Sequence, residues 1–127
     1  PPRLLRMGEA KGTPKLPPLA EAVRPAGRSV LWVCDPMHGN TETTPQGIKT
    51  RRFERIADEL EQSFELHRRL GSRLGGVHIE LTGEDVTECI GGSEQIDEDT
   101  PETPYEPLCD PRLNHMQSLE LAFLADE

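Results

Sequence analysis

The sequence predicts an α/β protein organised around parallel strands, and three observations carry that prediction. Short apolar runs alternate with helical periodicity, in the order strand, helix, strand, helix, strand, long loop, helix. The run SVLWVC at 29–34 is continuously apolar with β-branched and aromatic members, the pattern of a strand buried on both faces. Strand ends are followed at once by polar, chemically competent residues, as in WVCDPMHGN at 32–40, which fits a sheet whose C-terminal edge carries the chemistry. Three such strands form a small open sheet, or three staves of a barrel that takes eight strands and about 250 residues.

Residues 3–7, RLLRM, read as the first strand, ending at Gly8. GEAKGTPK reads as a loop. A helix is expected near 16–24, with prolines at its opening, where a helix tolerates them. After the second strand, DPMHGNTETTPQG is a polar loop punctuated by Pro and Gly. From Thr50 to about Leu70 the spacing of Phe53, Ile56, Leu60 and Phe64 marks one face of a helix. His67 continues that face as a packing or interface histidine, and Gly71 is its stop. GVHIELT, 76–82, is the third strand. About thirty residues of acidic loop follow, a length uncommon in a compact domain unless functional or disordered. Its acid run (Glu94, Asp97, Glu98, Asp99, Glu102) reads as a solvated segment. NHMQSLELAFLADE closes the chain as a helix apolar nearly all round, which needs cover on several sides.

At 127 residues the chain is the size of one domain. It has 23 Asp and Glu against 14 Lys and Arg, a net charge of −9 that argues against binding nucleic-acid backbones or anionic membranes. A local arginine cluster still permits small anions. No apolar run approaches the roughly 18 residues of a membrane span, and the first residues carry no signal-peptide pattern. The expected location is cytoplasmic, or a plastid if the source is a plant. Cys34, Cys89 and Cys109 lack a C-x-x-C spacing, which fits a reducing compartment or reactive thiols, or simply incidental buried cysteines. Apolar residues make up 34 % and aromatics 4 %, thin enough to suggest a core completed from outside the chain.

Past the predicted strands stand Arg6 and Gly8, then Asp35, His38 and Asn40. Glu80 falls within the third strand, with Glu84 and Glu88 beyond. CDPRLN then supplies Cys109, Asp110, Arg112 and Asn114. His38, Glu80 and Asp110 converging on one edge would make a divalent-metal site. Their wide spacing is equally that of capped polar groups at strand ends. CDPMHGN and CDPRLN both put Asp-Pro at a turn, ordinary turn chemistry in which the carboxylate caps backbone N–H groups. IKTRR sets Lys49, Arg51 and Arg52 at a helix start, which is mildly unfavourable unless an anion sits nearby. Phosphate binding and a solvated surface cluster both account for it.

The stretches RMG, CDPMHGNT, KTR, GGVHIELTGEDVTECIGG, CDPRLN and QSLELAFL, in that order, resemble the C-terminal part of class II 3-deoxy-D-arabino-heptulosonate 7-phosphate (DAHP) synthases. The resemblance runs from Arg6 to the last helix. It implies a (β/α)8 TIM barrel, with residues 1–127 as the last three βα units of a single barrel domain. It implies a transferase that condenses phosphoenolpyruvate with erythrose 4-phosphate and releases phosphate, the first step of the shikimate pathway to the aromatic amino acids. A divalent metal, manganese or cobalt, is implied, held by a Cys, a His, a Glu and an Asp. His38, Glu80 and Asp110 match the last three. The family's cysteine lies upstream, and none of Cys34, Cys89 and Cys109 matches it. Arg6 matches an arginine that contacts phosphoenolpyruvate, and Lys49 lies in a motif near the active site without a firm role. The metal would act as a Lewis acid on the aldehyde oxygen, while arginines and lysines hold the phosphates.

Expected partners are the two substrates, the upstream half of the barrel from the same or another chain, and further copies in a homo-oligomer. The favoured expectation is a portion of a longer enzyme, inactive alone, over one piece of a split enzyme. The alternatives are a non-catalytic or regulatory remnant, and a related aminosugar-phosphate synthase of antibiotic biosynthesis.

Overall fold

A computed structural model describes residues 2–27, 29–97 and 110–126. Its centre is a three-stranded parallel sheet of β1 (Pro2–Leu5), β2 (Leu31–Cys34) and β5 (Leu74–Val77), in that spatial order. The register pairs Leu5 with Cys34 and Cys34 with Val77, so the three strands end level. Helix α1 (Glu9–Val23) connects β1 to β2. A short antiparallel hairpin, β3 (Thr41–Thr43) and β4 (Lys49–Arg51), precedes α2 (Phe53–Leu70), which leads to β5. Helix α3 (His115–Asp126) follows the Asp110 turn. The α/β alternation and the parallel sheet are as the sequence predicts.

The boundaries differ, and packing explains why. Helix α1 starts at Glu9, so most of the stretch read as a loop is helical, and the helix contains Pro14, Pro17 and Pro18. Each proline removes an intrahelical donor. The helix persists because Leu16 and Ala20 are buried with Trp32 and Leu66, and burial of a face outweighs local propensity. Strand β2 is buried on one face only. Trp32 and Cys34 point under the helices, whereas Leu31, on the opposite face, is 51 % exposed. The polar loop after β2 contains the β3–β4 hairpin, and Thr50 belongs to β4, not to α2. Strand β5 begins two residues earlier than expected and stops at Val77, so Glu80 lies past it. Pairing resumes beyond Val77, where His78 N–H donates to Cys34 and Leu81 bridges Leu113 in parallel.

Helix α2 matches its pattern closely. Phe53, Ile56 and Leu60 are buried in a cluster with Met37, Cys89, Leu113 and Leu121, and Phe64 packs at its edge. Gly71 ends the helix with φ +68°, the left-handed conformation that favours glycine. His67 is a packing residue. Its ring lies 5.5 Å from that of Trp32, its Nδ1 is 2.7 Å from Ser72 Oγ, and burial lowers its pKa. Helix α3 opens with a reciprocal capping pair. Gln117 N–H donates to Asn114 Oδ1 at 2.9 Å, and Asn114 N–H donates to Gln117 Oε1 at 3.1 Å. Gln117 also donates to the carbonyls of Cys89 and Gly91, so its buried amide is satisfied. Its outer side carries Met116, Leu119 and Phe123, the last 71 % exposed, in line with the cover its sequence requires.

Cys34 and Cys89 are buried free thiols whose pKa burial pushes up to about 12, which favours incidental buried cysteines over reactive ones. Cys109 lies outside the described residues, as do Glu98, Asp99 and Glu102 of the acid run. Among the described residues no helix is long and apolar enough to cross a membrane. Leu60 sits with no exposure at the centre of the main cluster, and Leu60→Ala is expected to lower unfolding stability by about 2–5 kcal/mol in a urea titration.

Candidate metal centre

The turn after β2 is built by Asp35. Its Oδ1 accepts the backbone N–H groups of Met37 (3.0 Å) and His38 (3.1 Å), which closes a tight turn at the strand end. Its Oδ2 lies 2.7 Å from His38 Nδ1. Asp35 is buried, so this pairing fixes the imidazole with Nδ1 as donor and turns Nε2 outward as a lone-pair donor.

Two carboxylates meet that nitrogen. Glu80 Oε1 is 3.1 Å from His38 Nε2, and Asp110 Oδ2 is 3.7 Å away. One imidazole nitrogen and two carboxylate oxygens therefore converge from the turn after β2, the segment past β5 and the turn before α3, all partly open to solvent. A borderline divalent cation suits this donor set. The orienting carboxylate behind the imidazole is the usual partner of a metal-bound histidine. A second grouping, Asp35 with His38 and His78, is geometrically close. Asp35 already spends both oxygens on the turn and the ring, so its part is to orient His38.

Arg51 underlies the whole arrangement. Its side chain is completely buried, with Nε donating to Thr41 Oγ1 (3.0 Å) and Nη1 to Glu80 Oε2 (2.6 Å) and the Pro111 carbonyl (2.6 Å). Nη2 is 3.6 Å from Asp110 Oδ2, within ion-pair range. Lys49 bonds Asp110 from the solvent side. That bond, helped by the Lys49, Arg51 and His38 charges nearby, holds the Asp110 carboxyl below the usual carboxylate range against the opposing effect of burial.

Of the five predicted site residues, His38, Glu80, Asp110 and Lys49 come together, and Arg6 stands exposed past β1, outside that group. IKTRR is not a helix-start cluster. Lys49 and Arg51 lie on β4, and Arg52, the residue before α2, donates to Glu42. Arg112 is held by the buried Glu88 through Nη2 at 2.7 Å, and Asn114 caps α3, so both brace the Asp110 segment. Arg51 is the residue that sequence reasoning placed wrongly. The alternation of KTR along a strand, with its middle residue on one face and Lys49 and Arg51 on the other, was the available signal.

Removing Arg51 leaves a partly buried Glu80 carboxylate oxygen and the buried Pro111 carbonyl without their donor. Arg51→Met is expected to destabilise the fold by about 3–5 kcal/mol, read by chemical denaturation. Arg51→Lys should not restore it, because one ammonium cannot reach the partners spanned by a planar guanidinium.

The sequence matches the Class-II DAHP synthetase family over residues 3–126. It is 53 % identical over 122 residues to the phospho-2-dehydro-3-deoxyheptonate aldolase AroG of Mycolicibacterium smegmatis, covering 96 % of this chain and 26 % of that protein. It is 52 % identical over 124 residues to the phospho-2-dehydro-3-deoxyheptonate aldolase of Streptomyces coelicolor, covering 98 % of this chain and 28 % of that protein. A protein of the same name from Streptomyces lividans is 51 % identical over 124 residues, with 98 % of this chain and 84 % of that sequence covered. The chain thus spans about a quarter of the length of the first two relatives. Extending over nearly every residue, these matches show that the chain belongs to the class-II DAHP synthetase family.

Proposed function

We propose that this chain is the metal-bearing C-terminal portion of a 3-deoxy-7-phosphoheptulonate synthase, a transferase that condenses phosphoenolpyruvate with erythrose 4-phosphate and releases phosphate. The observation that carries the proposal is the convergence of His38 Nε2 and Glu80, past parallel strands, with Asp110 of the turn before α3, and with His38 oriented by a buried carboxylate. The presence of all three ligands expected in this portion, with their supports, favours a working site over a non-catalytic remnant.

His38, Glu80 and Asp110 would hold the metal, manganese or cobalt. Bound there, it supplies Lewis acidity toward the aldehyde oxygen of erythrose 4-phosphate. Asp35 keeps His38 in the tautomer that offers Nε2. Arg51 holds Glu80 in place and places a positive charge beside both Glu80 and Asp110. Arg6 would contact phosphoenolpyruvate, and Lys49, exposed beside Asp110, adds positive charge at the mouth of the site.

The fold proposed for the complete enzyme is a (β/α)8 barrel in which β1, β2 and β5 begin the last three units. The parallel order, the site at the C-terminal strand ends and the open apolar face at Leu31 support it. The upstream half, in the same or another chain, would supply the remaining metal ligand and most of the cationic grip on the substrates. The complete enzyme is proposed to be a homo-oligomer.

In the complete enzyme, chelation is expected to abolish phosphate release and added Mn2+ or Co2+ to restore it. His38→Ala should remove metal-dependent activity with circular dichroism unchanged. Full activity in that variant would sink the metal assignment. Asp35→Asn is expected to weaken Mn2+ binding about 10–100-fold, measured by paramagnetic resonance titration. The 127 residues alone should show no turnover of the two substrates.

A further inference from the structure

Two turns of the site touch through their backbones, and a buried carboxylate bonds both of them. A Cβ on Gly8, the residue before α1, would lie 2.7 Å from the Gly39 carbonyl oxygen. A Cβ on Gly39 would lie 2.2 Å from the Gly8 nitrogen. Only glycine at both positions lets the turn after β1 and the turn after β2 come this close. Beneath the contact lies Glu59, in the middle of α2 and 3 % exposed. Its Oε1 accepts the Met7 backbone N–H at 3.3 Å, and its Oε2 accepts Asn40 Nδ2–H at 2.7 Å. Asn40 Nδ2 also donates to the Pro36 carbonyl at 2.7 Å, which ties the whole β2 turn to the same carboxylate. Met7 follows Arg6, and Asn40 is two residues past His38. Burial raises the pKa of Glu59, partly opposed by these hydrogen bonds, so the carboxylate is kept where it costs stability.

We infer that Glu59 is a positioning residue, which clasps the Arg6 turn to the His38 turn and so sets where phosphoenolpyruvate lies relative to the metal. The inference rests on the function proposed above, which assigns Arg6 to phosphoenolpyruvate and His38 to the metal. The metal donors themselves are held by Asp35 and Arg51, so the clasp governs the relation between the two turns and not the metal site alone. A carboxylate suits the task because it accepts on both oxygens. A glutamine there offers one acceptor and one donor, and its N–H would face either the Met7 N–H or the Asn40 amide donor.

The test is Glu59→Gln, nearly isosteric, and separately Gly39→Ala, which pries the turns apart without touching Glu59, both in the complete enzyme. The expected result is a rise of about tenfold or more in KM for phosphoenolpyruvate, with Mn2+ affinity and KM for erythrose 4-phosphate within twofold of the parent. Unchanged KM for phosphoenolpyruvate in a folded Glu59→Gln enzyme overturns the inference. So does loss of Mn2+ affinity with KM unmoved. If the parent enzyme shows no turnover, the functional proposal has failed, and amide hydrogen exchange decides the clasp by itself. Faster exchange at Met7 and Asn40 together in Glu59→Gln supports coupling of the turns, and faster exchange at Met7 alone overturns it.

Discussion

A guanidinium buried without any exposure must be surrounded by acceptors, and the arrangement of this site follows from that demand. Arg51 takes its acceptors from Thr41 on β3, Glu80 past β5 and the Pro111 carbonyl in the last turn before α3. Three segments far apart in sequence are fixed relative to one another because each supplies oxygen to the same cation. A buried ion pair is weak evidence for stability, since desolvation offsets much of the attraction. Its value here lies in uniqueness. Few arrangements of these segments give Arg51 these three acceptors, and this one brings two carboxylates to His38 Nε2.

The supports repeat the same logic at smaller scale. Asp35 closes a turn with one oxygen and aims an imidazole with the other. Glu88 holds Arg112 through its backbone and side-chain N–H groups, and so anchors the segment that carries Asp110. Asn114 and Gln117 start α3 and tie it to the carbonyls of Cys89 and Gly91. Each buried polar group does two things at once, which is how a chain with few aromatic residues specifies a site.

Much of this was legible in the sequence. The apolar spacing of Phe53, Ile56 and Leu60 marked the buried face of α2, and Gly71 marked its end, because helix periodicity and a left-handed stop are local properties. The convergence of His38, Glu80 and Asp110 was legible from their place at the second strand's end, in the third strand and after the long loop, and from the family resemblance, though spacing alone did not separate ligands from caps. What failed was whatever tertiary contacts decide. Helix α1 runs through three prolines because α2 and Trp32 cover it, and no local signal contains that cover. Arg51 read as part of a helix-start cluster, either phosphate-binding or solvated, because burial of an arginine depends on acceptors delivered from elsewhere. Glu59 drew no reading from the sequence, since only the fold sets Met7 and Asn40 above it.

The packing of Trp32 against His67 gives the chain a built-in optical reporter. Trp32 is its only tryptophan, and it lies beneath α1 and α2 with the imidazole 5.5 Å away. An indole in contact with a buried ring emits at shorter wavelength than one in water, and the neighbouring imidazole is positioned to quench it. The buried neighbours of Trp32 are Leu16, Ala20 and Leu66 on those helices, so the emission registers the seating of the two crossover helices on the sheet. Intrinsic fluorescence thus follows scaffold integrity through a channel separate from metal or substrate occupancy.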